Sequence, residues 1–301
     1  SFALNKLVLI LTVYHKPHLM KHLFPFLILY IIGGSLNAKT ISGVIIDSKS
    51  KENVGLVRVG INACCFTLSD EFGHFTLNIP SERKYGDTTM IVFDKPGYAT
   101  FYLSLKDLRA SGGVVSMKSI QGLKLDSPIS VNGKVRREGI TSGSSTFIFM
   151  LDEMKELGGE FGIIIGENAP CVVSSLNLYI GNSNIRHLKF RVNIYDVHNG
   201  YKRINGHEII TSADLGSAYL AQDGWVKFDI SNYNLIIDRE VLIVFENIYL
   251  PNISKDIELS CPGLSAIIGK SNFYIRLSPF DDFQRVDIKV SMYAEVTPVT
   301  R

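Results

Sequence analysis

The residues of this chain that could do chemistry are a few charged side chains placed inside apolar, strand-like runs. Asp229 and Glu246 are carboxylates of this kind, and Arg191 and Lys227 occupy similar positions in their own runs. Glycosidases need two facing carboxylates, so these acids are the pair to consider for hydrolysis. A carboxylate beside a core also needs a partner, which a salt bridge across neighbouring strands supplies. We expect the structural salt bridge, with a polar groove on one sheet as the alternative.

Trp225 is the only tryptophan of the chain and begins the run Trp-Val-Lys-Phe-Asp-Ile. Alternation along a strand places the apolar residues of this run on one face and leaves Trp225, Lys227 and Asp229 on the other. A tryptophan with polar companions either packs at the edge of a sheet or stacks on a ligand such as a sugar. The candidate ligand-binding residues are Trp225, Lys227, Asp229, Arg191, Glu246 and Tyr195.

The histidines and serines do not form a catalytic motif. A zinc carboxypeptidase needs His-x-x-Glu and a distant His, and no His of this chain is followed three residues later by Glu. His207-Glu208 begins like the zincin motif, but Thr211 stands where the second imidazole is needed. No serine lies in a Gly-x-Ser-x-Gly elbow. We therefore predict no catalytic residue, no metal, no cofactor and no enzymatic activity.

Composition and charge indicate a globular chain without a nucleic-acid partner. Of 301 residues, 46% are hydrophobic and 20% are charged, and the net charge is +2. Phosphate binding needs clustered Lys and Arg, and the densest basic run, 134–137, is typical of a solvated linker.

Short alternating runs separated by turn residues predict an all-β protein. In the first half, strands are predicted over 41–46, 57–63, 75–79, 89–93, 99–105 and 114–118. In the second half, they are predicted over 161–165, 171–180, 188–196, 225–229, 235–237, 241–249, 264–268, 273–277 and 286–295. A strand at 129–131 and a helical turn or two at 151–157 complete the pattern.

The first 38 residues have the pattern of a targeting segment. A basic start at Met20, an apolar run over 23–32 and small residues ending at Ala38 predict a signal peptide. The apolar run is shorter than the ~20 residues of a bilayer span, so we predict no transmembrane span in the mature chain. Export would deliver the chain to the periplasm or the cell surface. Whether residues 1–19 belong to the natural protein stays open.

The cysteines at 64, 65, 171 and 261 form neither a disulfide framework nor a Cys-x-x-Cys motif. Cys64 and Cys65 lie in a strand-like run, where neighbouring residues point to opposite faces, so we expect at least one of them to be a core residue. Export would permit a bridge between Cys171 and Cys261, which the sequence leaves open.

Three spaced signatures resemble those of the carboxypeptidase regulatory-like domain. They are Gly-Val-Ile-Ile-Asp at 43–47, Ser-Asp-Glu-Phe-Gly-His-Phe at 69–75, and Gly-Tyr at 97–98. The first is one residue longer than the family's shortest form, and the second has Ser in place of Thr. The resemblance implies a seven-stranded, transthyretin-like sandwich without catalytic groups of its own.

The second half resembles a jelly-roll region that follows this domain in exported proteins of Bacteroidetes-type bacteria. The segments that carry the resemblance are 158–162, 190–195, 224–231 and 244–248. The predicted organisation is a signal peptide with upstream residues over 1–38, a carboxypeptidase regulatory-like sandwich over 39–119, a linker over 120–145 and a jelly-roll-like sandwich over 146–301.

The predicted function is a non-catalytic, exported scaffold or binding and adhesion module of the bacterial envelope. Its partner would be an envelope protein or a glycan, with the connection over 196–224 as the expected contact surface, because loops on a rigid scaffold carry recognition. A carbohydrate-binding module that uses the second sandwich is the alternative. A hydrolase is the least favoured class.

Overall fold

The computed structural model describes residues 39–62, 64–80, 85–120, 133–143, 147–150, 158–167, 169–180, 187–214, 224–248 and 263–299. These residues are built almost entirely from strands, which confirms the predicted all-β class. The predicted signal peptide over 1–38, the strand at 129–131, the helical segment at 151–157 and Cys261 lie outside the described residues. Within the described ranges, no helix has the length and apolarity to cross a membrane.

The first half forms a small sandwich of seven strands and one short helix. Its elements are β1 Lys39–Asp47, β2 Arg58–Ile61, β3 Cys65–Leu68, β4 His74–Ile79, β5 Met90–Asp94, β6 Phe101–Ser104, α1 Leu105–Ala110 and β7 Val114–Met117. One sheet has the order β4-β1-β7 and the other the order β3-β2-β5-β6. Strands β1 and β7 pair in parallel, and the other pairs of this sandwich are antiparallel.

The core of the small sandwich follows from strict alternation. In β4 every second residue is buried, and Phe75 meets Phe93 of the opposite sheet edge to face, with ring centroids 5.6 Å apart. Asp70 forms the turn before β4: its Oδ1 accepts from the backbone N–H groups of Phe72 and His74 at 2.9 and 2.8 Å. Gly73 completes this turn with φ of +79°.

Helix α1 follows β6 and begins at Leu105, the last residue of the strand predicted over 99–105. Ser104 caps it by accepting a hydrogen bond from the backbone N–H of Asp107 at 3.0 Å, and its hydroxyl donates to the Asp107 carboxylate at 2.6 Å. Leu105 and Leu108 are buried by the helix. Ser-x-x-Asp before apolar residues is a helix-start signal, and here it outweighs the strand pattern.

The second half forms a large sandwich. Its strands are β8 Arg136–Gly139, β9 Phe147–Met150, β10 Glu160–Ile165, β11 Cys171–Ile180, β12 His187–Asp196, β13 Lys202–Arg203, β14 Ile209–Asp214, β15 Gly224–Asp229, β16 Leu235–Ile237, β17 Val241–Asn247, β18 Gly263–Ile268, β19 Phe273–Arg276, β20 Gln284–Arg285, β21 Ile288–Val290 and β22 Met292–Pro298. A 3-10 turn, Ser231–Tyr233, precedes β16.

Two antiparallel sheets make up this sandwich. The docking sheet has the order β13-β12-β17-β10-β19-β20, with β14 on β12. The outer sheet has the order β21-β18-β11-β22-β8, with β15 and β16 on β11 and β9 on β18. An aromatic cluster joins them: Phe190 lies 4.9 Å from Phe245 and 5.5 Å from Phe228, between ring centroids.

Part of the predicted linker over 120–145 belongs to the large sandwich. Strand β8 pairs with β22 in the outer sheet, so this sandwich begins before residue 146. Its charged residues suggested a solvated connection, but Glu138 is buried and accepts from the backbone N–H groups of Gly166 and Glu167 at 2.6 and 3.2 Å. Backbone donors satisfy this carboxylate inside the fold.

The other differences from the predicted strands are local. The connection over 196–224 contains the short strand β13 and strand β14, which pairs with β12. The strand predicted over 286–295 is divided into β21 and β22. Strand β3 is too short, at four residues, to show a period in the sequence.

Gly162 in β10 tests how tightly the docking sheet is packed. A Cβ at this position would lie 2.0 Å from the carbonyl oxygen of Ile243, whereas a Cβ at Gly86 would meet no atom within 4 Å. We expect Gly162→Ala to lower the free energy of unfolding by about 2 kcal/mol, because the strands must separate to admit the methyl group. Denaturant titration measures the loss, and Gly86→Ala, the control, should stay within about 0.5 kcal/mol of the parent. Equal stability of the two variants would contradict this packing.

Candidate functional site

The small sandwich is joined to the docking sheet by a buried guanidinium. Arg58 lies between Val57 and Val59, which face the small core, so alternation turns its side chain outwards. Its Nε and Nη2 donate to the two carboxylate oxygens of Glu246 at 2.8 and 2.7 Å. Nη2 also donates to Glu160 Oε1 at 2.6 Å. With the Arg58 side chain only 2% exposed, this is a bidentate ion pair shielded from water.

The docking sheet supplies the partners by strand register. Glu160 of β10 is paired with Glu246 of β17, and Glu246 is paired with Arg191 of β12. Arg191 Nη1 lies 3.2 Å from Glu246 Oε2, and Asn193 Nδ2 donates to both carboxylates at 2.8 Å. Both adjacent carboxylates are therefore bound by cationic side chains and by the amide of Asn193. The predicted salt bridge across neighbouring strands is present between Arg191 and Glu246.

Tyr195 and Arg276 extend the cluster toward solvent. The Tyr195 hydroxyl donates to Glu160 Oε1 at 2.9 Å and accepts from Arg276 Nη2 at 2.6 Å. Arg276 Nε also donates to Glu160. The Arg276 guanidinium lies 4.4 Å from the centroid of the Phe283 ring, where a cation–π interaction forms.

Further salt bridges cross the contact between the sandwiches. Arg203 Nη1 and Nη2 donate to the two oxygens of Asp94 at 2.6 and 2.8 Å. Lys95 Nζ donates to Glu208 Oε2 at 2.6 Å, and Arg191 Nε donates to the other oxygen of Glu208 at 2.9 Å. Glu208, which opened an incomplete zincin motif in the sequence, is thus a partner of two cations.

Backbone atoms of the small sandwich take part as well. Lys95 Nζ donates to the carbonyl oxygen of Gly55 at 2.9 Å, and Arg191 donates to that of Leu56. Leu56 has φ of +56°, an uncommon conformation for a branched residue, and the bond to its carbonyl helps to hold it. We call the whole set the charge junction: Arg58, Asp94, Lys95, Glu160, Arg191, Asn193, Tyr195, Arg203, Glu208, Glu246 and Arg276.

The charge junction keeps two of its acids, Asp94 and Glu246, ionised. Burial alone would raise the pKa of Glu246, but Arg191 and Arg58 overcome this and hold the pKa at about 2. Burial also opposes ionisation of Asp94, yet Arg203 and Arg58 keep its pKa well below the ordinary value. Burial raises the pKa of Tyr195 to about 12, so its hydroxyl keeps its proton. None of these groups is set to exchange a proton near neutral pH.

A cleft of about 520 Å³ opens beside the charge junction, between the two sandwiches. Its walls combine aromatic, amide and cationic side chains. Three large apolar side chains in its lining are exposed: Tyr102 by 57%, Ile120 by 47% and Ile204 by 46%. The polar lining includes Asn62, Asn205, Lys202, Arg203 and Arg276. Mixed apolar and hydrogen-bonding walls are typical of ligand sites.

The glycine of β2 brings the cleft walls together. Gly60 faces outwards, like Arg58 two residues before it, and a Cβ there would lie 2.4 Å from the ring of Phe280. Phe280 follows β19 of the large sandwich and lines the cleft. A side chain on Gly60 would displace this ring.

The predicted site residues fall on opposite faces of the large sandwich. Arg191, Glu246 and Tyr195 lie in the charge junction, while Trp225 and Lys227 lie on the outward face of the outer sheet. The six candidates therefore do not line one groove, because the core of the sandwich separates the two sheets.

The residues on the outer sheet have local partners. Trp225 packs edge to face on Tyr179 and Tyr293, with centroid separations of 5.4 and 4.7 Å. Lys227 donates to Glu295 at 2.8 Å. Asp229 accepts from the backbone N–H of Ser231 at 2.8 Å. The aromatic packing agrees with the edge role considered for Trp225.

Sequence reasoning missed most of the charge junction, namely Arg58, Asp94, Lys95, Glu160, Asn193, Arg203 and Arg276. A signal was available for Arg58, which is a single charge between two core valines. Across the described parts of the chain, no three His, Cys, Asp or Glu side chains are grouped so that they could hold a metal ion.

Loss of Arg58 should weaken the contact between the sandwiches strongly. Arg58→Met leaves Glu160 and Glu246 buried with fewer cations, so we expect the free energy of unfolding to fall by about 3–5 kcal/mol. Arg109→Met removes an exposed pair with Asp87 and should cost less than about 0.5 kcal/mol. Chemical denaturation of both variants provides the comparison. An Arg58→Met protein as stable as the parent would contradict the role given to this guanidinium.

Acid should destabilise the protein in a window set by Glu246. Its pKa is about 2 in the folded chain and 4.5 for an ordinary glutamate. A lowered pKa stabilises the fold fully above pH 4.5, and this contribution disappears as the pH falls toward 2. It is on the order of 3 kcal/mol.

Urea titrations across this window test the assignment. Glu246→Gln should lose correspondingly less stability on acidification, although it is less stable at neutral pH. Glu52→Gln, which changes an exposed acid, should keep the parent's pH dependence. An unchanged acid response in Glu246→Gln would show that this carboxylate is not held ionised.

Comparison with known proteins gives only distant likenesses. No protein-family model matches the chain, and no curated protein matches it. It is similar to the cysteine protease and lectin-like domains of Cwp84, a surface layer associated protein of Clostridium difficile, with 10% identity, a TM-score of 0.38 and coverage of 78% of this chain and 45% of that one.

The clostridial cysteine protease Cwp84 after propeptide cleavage gives 12% identity, a TM-score of 0.38 and coverage of 78% and 51%. The chain thus spans about half the length of these structures. Likeness at this level says nothing about what the chain does.

Proposed function

We propose that this chain is a non-catalytic binding module of the bacterial envelope, whose recognition surface is the cleft between its two sandwiches. The observation that carries the proposal is the buried bidentate salt bridge between Arg58 and Glu246, which holds both walls of the cleft in one arrangement. A preformed cleft loses little conformational entropy when a ligand binds. The charge junction would then hold the two sandwiches rigidly together, and the cleft would contact the ligand.

The state of the acids argues against hydrolysis. A glycosidase needs one carboxylic acid with a raised pKa to protonate the leaving group. Here Arg191 and Arg58 lower the pKa of Glu246, and Glu160 is bound by Arg58 and Arg276. These two carboxylates are adjacent, but each is committed to cations and to Asn193. Their role in this proposal is structural.

The small sandwich is proposed to be a carboxypeptidase regulatory-like domain that serves as a spacer and as one wall of the cleft. Its seven strands in two sheets support this, as does the turn at Asp70 and Gly73, where the resemblance places a signature. Export by a signal peptide over 1–38, to the periplasm or the cell surface, belongs to the same proposal.

Carbohydrate is the second candidate for what the module binds. Tyr102 presents an exposed ring in the cleft, with amides from Asn62 and Asn205 nearby, and such rings stack on the apolar faces of sugars. The charge junction has five cationic side chains and four carboxylates, and Lys202 adds a further cation to the cleft. Because positive charge is in excess here, a glycan that carries carboxylates is favoured over a neutral one.

A glycan array followed by calorimetry tests both candidates. We expect Tyr102→Ala to weaken binding of a uronic-acid oligosaccharide by roughly tenfold or more, while Trp225→Ala leaves it unchanged. The neutral oligosaccharide of the same length is the ligand control, and thermal melting checks that both variants fold.

Other outcomes redirect the proposal. Loss of binding in Trp225→Ala alone would move recognition to the outer sheet. An array without any bound glycan would remove the carbohydrate candidate and leave a protein partner for the cleft.

A further inference from the structure

The two adjacent cysteines do not point to opposite faces, as a continuous strand would require. Strand β2 ends at Ile61 and β3 begins at Cys65, and these two residues are paired across the hairpin. Cys64 lies in the connecting turn, where its backbone N–H donates to the carbonyl oxygen of Ile61 at 3.0 Å. The turn breaks the alternation and brings Cys64 Sγ to 2.9 Å from Cys65 Sγ. The strand-like alternation assumed for this pair is therefore wrong, although both residues pack against the small core.

The two thiols are placed where solvent can reach them. Both residues are half-buried and pack against the edge of the small core. Cys171 provides a contrast, because it is fully buried in the large core, and burial raises the pKa of its thiol to about 11. A buried thiol of that kind reacts slowly, since the thiolate is the nucleophile.

We propose that Cys64 and Cys65 are a modification site: a dithiol pair that is reversibly oxidised to a disulfide between neighbouring residues. The oxidant is a low-molecular-weight disulfide of the glutathione class. One protein thiolate attacks a sulfur of this disulfide, forms a mixed disulfide and releases one small thiol. The neighbouring thiolate then attacks the protein sulfur and releases the second small thiol. The protein loses two protons and two electrons, and the small disulfide is reduced to two thiols.

The geometry favours formation of the disulfide between Cys64 and Cys65 and also its reduction. A disulfide bond is about 2.05 Å long, so closing the 2.9 Å gap needs a shift of less than about 1 Å. Neighbouring Cα atoms across a trans peptide are about 3.8 Å apart, below the usual range of about 4.4–6.8 Å for disulfides. The ring is therefore strained, and a strained disulfide is easily reduced. We expect a redox-responsive pair rather than a permanent crosslink.

The pair also lies near the cleft. Asn62, two residues before Cys64, lines the cleft, and Gly60 of the same hairpin contacts the ring of Phe280. The oxidation itself does not depend on what the cleft binds.

Peptide mass mapping of the full chain tests the proposal directly. The protein is treated with oxidised glutathione, its remaining thiols are alkylated, and it is unfolded and cut with trypsin. Residues 59–83 form a single tryptic peptide, because cleavage follows Arg58 and Arg83 and no Lys or Arg lies between them. This peptide contains Cys64 and Cys65 and no other cysteine.

We expect the peptide to become lighter by two hydrogen atoms, to escape alkylation, and to recover both thiols after reduction. Cys64→Ser and Cys65→Ser should each stop at the mixed disulfide with glutathione. Cys171→Ser, the control, should still show the loss of two hydrogens in this peptide. A wild-type peptide that remains alkylated on both cysteines, or that is recovered joined to another cysteine peptide or to glutathione, would overturn the proposal.

Discussion

The arrangement of the two sandwiches depends on one buried interaction, the guanidinium of Arg58 between Glu160 and Glu246. Removing three charges from water costs several kcal/mol for each ion, and only close, oriented partners offset that cost. Here the offset is shared: Glu246 also binds Arg191, Glu160 also binds Arg276, and Asn193 bridges the two acids. No member is replaceable alone, because each deletion leaves a neighbour buried without its partner.

The bounds of two strands were predicted from the sequence: the ten-residue β11 and the three-residue β16, which lies between the turn residues Asn234 and Asp238. Other short elements gave no such signal. Helix α1 and strand β3 have six and four residues, too few for a period to separate helix from strand. Strand β8 looked like a linker because it is charged. It lies in the sheet because the backbone N–H groups of Gly166 and Glu167, which follow β10, donate to the carboxylate of Glu138.

The candidate site was predictable only in its local part. Arg191 and Tyr195 stand two positions on either side of Asn193, and this stripe on β12 is visible in the sequence. Arg58 is 188 residues from its partner Glu246 and 102 residues from its partner Glu160, and no local pattern reveals such pairings. Trp225 drew interest by its type, yet it packs on Tyr179 and Tyr293 away from the charge junction. Residue type alone was a weaker guide than charge inside an apolar strand.

Gly60 limits how freely this architecture can be rearranged. The ring of Phe280 occupies the space that any side chain at this position would take, two residues from the guanidinium of Arg58. A small sandwich grafted from another protein would therefore need a glycine and an arginine in the same strand, two residues apart. Shuffling of modules, in nature or by design, would seldom meet the two requirements together, so the halves of this chain are expected to be inherited as a pair.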